Sequence, residues 1–213
     1  MTALVLHGYW RSSATYRVRI ALNLKGVAYG QVGHDLRSGA QQRPDYLAIA
    51  PHGLVPALET DGPTLIQSPA ILEWIEARWP APALVPDDAD AAAIMRSMAA
   101  IIGCDIHPLN NLRVLKVLRE MGLDQDAIDG WIARWVAEGF AALEQLVVRH
   151  GKGWCFGNRP TLADCYLIPQ VYNARRFGID LSPYPALVAV DDGAQALAAF
   201  AAARPEVQPD ADP

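Results

Sequence analysis

The chain has 213 residues, 52% of them hydrophobic, and a formal net charge of -5. That length can bury a sizeable core in one large domain or two small ones, and the acidic balance excludes a broad cationic field for nucleic acid. Three cysteines, Cys104, Cys155 and Cys165, have no C-x-x-C spacing and leave one unpaired in any disulfide scheme, which argues against a disulfide framework or a zinc site and suits a reducing cytosol.

From the N-terminus, Leu4 to Leu6 reads as a short buried strand, followed by a hydroxyl-rich loop and a helix over Tyr16 to Lys25, ended by Gly26. Residues 12–22, SSATYRVRIAL, put two hydroxyls at the mouth of that helix. Strand, polar loop and helix form a layout suited to anions, because first-turn N–H groups and the helix dipole stabilise a nearby negative group by roughly 0.3–1 kcal/mol. Ser12 and Ser13 are equally readable as ordinary helix caps. Val27 to Val32 is a second strand, and Ala57 to Thr60 and Thr64 to Ile66 form a hairpin about Asp61-Gly62. Ser68-Pro69 starts another helix, with Leu72, Ile75 and Trp79 on one face, until Pro80 stops it. This β-α-β unit followed by hairpin and helix is the pattern of an α/β thioredoxin-like domain.

Residues 80–88, PAPALVPDD, carry three prolines and read as a linker. Beyond it the pattern is all-helical: Ala89 to about Met121 with an interruption at Pro108, Asp126 to Val148, Leu162 to Phe177, and an alanine-rich last helix over Ala194 to Ala203. Thr161-x-x-Asp164 resembles a capping box, which makes Asp164 a folding residue. PEVQPDADP at the end is expected to fray. The expected domains are 1–82 and 88–213. With no basic leader and no run of about 18 apolar residues, a soluble cytoplasmic protein is expected.

SSATYRVRIAL resembles the zeta-class glutathione transferase signature, Ser-Ser-Cys-x-Trp-Arg-Val-Arg-Ile-Ala-Leu. AIAPHGLVPAL at 48–58, LIQSPAILEWIE at 65–76, AAIIGCDIHPLNNLRVL at 99–115, PTLADCYLIPQV and ARRFGIDL extend the likeness across both halves of the chain. Within the class these segments are similar to bacterial maleylpyruvate isomerases and to maleylacetoacetate isomerases. The resemblance implies a two-domain glutathione transferase-like fold, glutathione as a returned cofactor, a homodimer, and cis–trans isomerisation of a small diacid. Maleylpyruvate to fumarylpyruvate is the preferred reaction, with maleylacetoacetate isomerisation or general transferase activity as alternatives.

The same resemblance implies glutathione contacts from Ser12, Ser13, Ala14, Thr15, Tyr16, Arg17, Gln41, His52, Val55, Gln67, Ser68, His107, Asn111, Leu112 and Arg113. Ser12 aligns with the serine assigned to the thiolate, with Ser13 in reserve, and Val55-Pro56 resembles the family's cis-proline turn. Tyr16 is also readable as packing, and Arg17 and Arg19 as partners of acids. Arg11, Arg113, Arg175 and Arg176 match substrate positions, where forked guanidinium groups suit carboxylates. The catalytic set is thus Ser12, Arg11, Arg113 and Arg176. Ala14 stands where maleylacetoacetate isomerases and the related reductive dehalogenases usually have cysteine. Without that second thiol the dehalogenase reading is poor, and the balance moves toward maleylpyruvate.

Overall fold

Because β1 (Leu4–Gly8) is almost entirely apolar, it can sit inside a sheet with both neighbours paired, and it does. A computed structural model describes residues 4–212. In it β1 runs parallel to β2 (Tyr29–Gly33) and antiparallel to β3 (Ala57–Glu59), which in turn pairs antiparallel with β4 (Leu65–Ile66). The sheet order is β2-β1-β3-β4, with Leu6 opposite Gln31 on one side and Leu58 on the other. A parallel β1–β2 pair needs a crossover, and α1 (Ser13–Leu24) supplies it, burying Val18, Ile20, Ala21 and Leu22 completely. The helix starts three residues before the predicted Tyr16, because Ser12 caps it. Between β2 and β3 lie a 3-10 turn (Ala40–Gln42) and the short α2 (Pro44–Ile49), neither of which was predicted. α3 (Ser68–Arg78) follows β4.

Contacts divide the chain into one unit through Leu84, joined by the segment from Gln195 onward, and a second unit Val85–Ala194. The second unit holds α4 (Ala89–Ala100), a π-helical turn (Ile101–Ile106), α5 (Leu112–Glu120), α6 (Gln125–His150), α7 (Leu162–Arg176) and most of α8 (Pro185–Gln195). Its core includes Met95, Met98, Ile132, Val136, Phe140, Leu167 and Ile168. The capping box is present: fully buried Asp164 accepts from Thr161 N–H at 2.7 Å and Thr161 Oγ1–H at 2.8 Å, and also from Cys155 N–H at 2.8 Å. Among the described residues no helix is long and apolar enough to cross a membrane.

Two expectations about the C-terminal part are corrected. The last alanines form only α9 (Ala198–Ala201), while α8 is an unpredicted helix with Leu187, Val190 and Ala194 buried. The segment from Gln195 onward clusters with the first unit and not with the helical one, and residues 205–212 are held rather than frayed, Pro213 lying outside the described residues: Gln31 Nε2 donates to Gln208 Oε1 at 3.1 Å and Arg37 Nη2 to Asp212 Oδ2 at 2.7 Å, while just upstream Asn23 Nδ2 donates to Ala199 O and Arg19 Nε to Ala203 O, both at 2.9 Å.

Candidate functional site

The predicted site residues fall in two groups, one in each unit. In the first, the loop after β1 carries Arg11 and Ser12 directly onto α1. Ser12 is the N-cap, its Oγ accepting from Thr15 N–H at 3.3 Å, so the bland reading of this serine is realised. A hydroxyl that accepts through a lone pair still has a proton to donate, so capping leaves the second role open. Arg11 lies with its guanidinium 4.7 Å from the Trp10 ring, and its Nη2 is 3.4 Å from Tyr9 Oη. Ser13, Ala14, Thr15, Tyr16 and Arg17 are all buried in the first turns of α1. Tyr16 belongs to the packing, with the Arg19 guanidinium 5.3 Å from its ring. Thr15 presses on β1 so closely that a Cβ at Gly8 would lie 2.3 Å from its Cγ2, and only glycine fits there. Arg19, expected to pair with acids, donates to the carbonyls of Ala203 and Trp10.

Val55 precedes Pro56 across a cis peptide bond. The turn is held from inside the domain: Tyr46, fully buried, donates its hydroxyl to Leu54 O at 2.7 Å, and Val55 packs against Tyr46, Ala50 and Ala57. Burial pushes the Tyr46 phenol up, so it stays a donor throughout the physiological range. Nearby, Gln42 Nε2 donates to Gly53 O at 3.1 Å. Gln41 Oε1 and His52 Nδ1 are buried without partners among the described residues. Buried polar atoms of this kind normally find a partner, so these two suit an incoming polar ligand.

α3 opens differently from α1. Gln67, at φ +68 and ψ 112, occupies a conformation unusual for a residue with a side chain and costing of order 1–3 kcal/mol, and it makes no side-chain cap bond. The first turn of α3 is therefore left uncapped by its own N-cap residue. Ser68 is buried and accepts from Arg17 Nη1 at 3.3 Å, which ties the start of α3 to α1. An uncapped helix start beside a buried serine and arginine is suited to a carboxylate.

In the second unit, the helix expected to run past residue 100 widens into the π turn, marked by His107 N–H bonding to Ile102 O at 2.9 Å. Such turns are frequent at functional sites. The wider turn ends at His107-Pro108, where the predicted interruption lay. Asn111 caps α5 by accepting from Arg113 N–H at 3.1 Å, and Leu112 and Arg113 are exposed on its first turn. Arg176 lies with its guanidinium 4.3 Å from the Phe177 ring. Arg175 departs from expectation: it pairs with Asp191, which is almost wholly buried, and with Asp192 at 3.4 Å. Two carboxylates already compensate its charge, so Arg175 leaves the set of substrate candidates.

Sequence reasoning passed over two features of the first unit. Tyr46 lies on the unpredicted α2. His7 on β1 bridges neighbours far apart in sequence, with Nε2 2.7 Å from Glu59 Oε1 and Nδ1 3.0 Å from His34 Nε2. His34 also packs against Tyr46, ring centroids 4.3 Å apart and planes tilted by 51°. No local motif announces such a cross-strand set; only the β1–β3 register brings Glu59 to His7.

The glutathione S-transferase N-terminal domain family matches residues 6–94, and the glutathione S-transferase C-terminal domain family matches residues 126–203. The chain is 49% identical over 209 residues to maleylpyruvate isomerase from a Ralstonia species, covering 96% of this chain and 98% of the relative. It is 51% identical over 208 residues to maleylacetoacetate isomerase from Pseudomonas aeruginosa, covering 96% and 97%. Among solved structures, a maleylpyruvate isomerase described as a bacterial zeta-class glutathione S-transferase superposes with a TM-score of 0.96 at 48% identity, covering 98% of this chain and all of that one. Maleylacetoacetate isomerase from Anaeromyxobacter dehalogenans, with GSH bound in the active site, gives 0.90 at 46% identity, covering 99% and 98%. The chain belongs to the glutathione S-transferase family, within its zeta class.

Proposed function

We propose that this protein is a glutathione-dependent cis–trans isomerase that converts maleylpyruvate to fumarylpyruvate in gentisate-type aromatic catabolism. The observation that carries the reading is the uncapped start of α3 at Gln67-Ser68, tied by Arg17 to the helix that Ser12 caps. Glutathione, when bound, supplies a thiolate that adds to the cis alkene and leaves again once the bond has rotated, so it is not consumed. The first turn of α3 receives the γ-glutamyl carboxylate, the Val55 backbone pairs with the cysteinyl unit like an added strand, and Gln41 and His52 take the glycine end. Ser12 donates to the sulfur, with Ser13 in reserve, and the positive end of α1 favours the thiolate over a thiol of ordinary pKa ~8.5. His107, Asn111 and Leu112 complete the glutathione contacts. Arg11, Arg113 and Arg176 grip the carboxylates of the diacid and stabilise the negative charge that develops on it during the reaction. The enzyme works as a cytoplasmic homodimer.

Maleylacetoacetate is the second reading, favoured by the 51% identical relative of that name. Its carboxylates are one methylene further apart, and Ala14 stands where such isomerases usually have cysteine. A one-methylene misfit discriminates by only about 1–3 kcal/mol, so both compounds are expected to turn over, maleylpyruvate with the higher kcat/KM. Specificity constants measured side by side decide it; a preference for maleylacetoacetate would reverse the order.

A further inference from the structure

The loop that presents Arg11 and Ser12 leaves β1 at Gly8 and must turn before α1 begins. One bond of that turn is local, Ser12 N–H to Tyr9 O at 2.9 Å. The next is not. Trp10 N–H donates to Asp210 Oδ2 at 3.0 Å, across two hundred residues of sequence. The carbonyl of the same residue accepts from Arg19 Nη2 at 2.9 Å, and Arg19, 1% exposed, uses its Nε to hold Ala203 O at 2.9 Å. Both polar groups of the Trp10 backbone are thus fixed by the C-terminal segment, one directly and one through a buried guanidinium that the segment shares.

The segment is itself held at several points. Gln208 is buried, donates through Nε2 to Ala202 O at 3.0 Å and accepts from Gln31 Nε2. Asp212 accepts from Arg37 Nη2 at 2.7 Å. Asp210 sits against the glycine that ends β2: a Cβ added at Gly33 would lie 2.7 Å from the Asp210 Cβ and 2.8 Å from Oδ2. A carboxylate this closely seated, on a backbone amide with no ladder partner, leaves Trp10 little freedom. Arg11 follows Trp10 directly and stacks on its ring. Its Nε has no partner among the described residues, so the direction of its side chain is set by this loop.

We propose that Asp210 is a positioning residue of the isomerase: by holding Trp10 N–H it fixes the loop that aims Arg11 at the substrate carboxylate and Ser12 at the glutathione sulfur. The proposal rests on the assignment of Arg11 and Ser12 to the site. A merely structural Asp210 would change stability and leave the kinetic constants of the folded enzyme alone. A positioning Asp210 changes them, since small displacements of an orienting group can cost up to about a hundredfold in rate.

The test compares full-length Asp210→Ala, Asp210→Asn and Gly33→Ala with the parent, reading kcat and KM for maleylpyruvate, glutathione affinity, and hydrogen exchange at the Trp10 amide. In Asp210→Ala, the Trp10 amide should exchange faster and kcat/KM for the diacid should fall about ten- to hundredfold, with a raised diacid KM and nearly unchanged glutathione affinity. Asp210→Asn should recover most of this, because its amide oxygen still accepts from Trp10 N–H. Gly33→Ala pushes the carboxylate away without removing it and should act in the same direction as Asp210→Ala, which keeps the proposal testable if the alanine variant folds poorly. Parent kinetics in folded Asp210→Ala and Gly33→Ala would overturn the proposal, as would Asp210→Asn being as damaged as Asp210→Ala. Arg11→Ala, measured alongside, separates the two levels. If it is silent, the site assignment fails and the proposal with it; if it is damaging while the Asp210 variants are not, the positioning role alone fails.

Discussion

Ser12 caps α1, and the further role proposed for it, donor to the glutathione sulfur, can be separated from capping by one set of substitutions. As N-cap it accepts from Thr15 N–H at 3.3 Å, a long bond, so its loss belongs at the low end of the usual 0.5–2 kcal/mol, about 0.5–1 kcal/mol. In the proposed role of donor to a thiolate it would make a hydrogen bond to a charged group, worth about 1.5–3 kcal/mol, or roughly ten- to hundredfold in rate. Ser12→Ala loses both. Ser12→Asp keeps an N-cap at least as good as serine but has no proton to give at neutral pH and sets a negative charge beside the sulfur. Ser12→Thr keeps both groups. The expected order of stability by denaturant unfolding is therefore Asp and Thr near the parent with Ala lower. The expected order of kcat is Thr highest, then Ala, then Asp. Titration of bound glutathione by its thiolate ultraviolet absorbance should show the sulfur pKa raised in Ala and raised further in Asp. Activity in Ser12→Asp equal to the parent would refute the donor role and leave Ser12 a cap alone; a silent Ser12→Ala with a damaging Ser13→Ala would move the role by one residue.

Asp164→Ala leaves two backbone donors and the Thr161 hydroxyl facing a buried gap, so it should cost about 3–5 kcal/mol in chemical denaturation, and Asp164→Asn less, since burial already pushes this carboxyl's pKa up. His34 is held below the ordinary histidine range, first by burial and then by the neighbouring His7, against the opposing pull of Asp45 and Asp210. The folded protein then binds fewer protons than the unfolded chain below pH about 6.5, so the stability His34 contributes is complete above that value and is lost as pH falls through the lowered one; His34→Gln should flatten that part of the stability–pH curve. Arg175→Ala removes the ion pair to the buried Asp191 and should cost about 1–3 kcal/mol of stability with little effect on the diacid KM, whereas Arg176→Ala should raise that KM with stability and glutathione affinity nearly unchanged.

Much of the first unit is legible locally, because each of its parts carries its own signal. Leu4 to Leu6, the Ser12 cap, Asp61-Gly62 and Ser68-Pro69 all act through neighbours within a few residues, and the structure has an element at each, with α1 beginning three residues ahead of the expected Tyr16. Thr161 and Asp164 are legible for the same reason. The alanines of 194–203 misled because alanine's helix propensity is a weak prior. In α8 the buried face of Leu187, Val190 and Ala194 decides instead, running through an Asp191-Asp192-Gly193 stretch that looks like a break. Arg175 and Arg176 cannot be told apart by sequence; only the packing of α8 brings Asp191 to the first of them. Asp210 was illegible for a stronger reason, since its partner is a backbone amide two hundred residues away and no side-chain pattern encodes it.

The central claim is that glutathione acts here as a returned nucleophile. The direct measurement follows fumarylpyruvate formation from maleylpyruvate with glutathione far below the substrate concentration, while total free thiol is counted throughout. The account predicts many turnovers per glutathione, constant thiol, and no acceleration by the enzyme when glutathione is left out. Loss of one thiol per substrate converted would contradict it and identify a conjugating transferase instead.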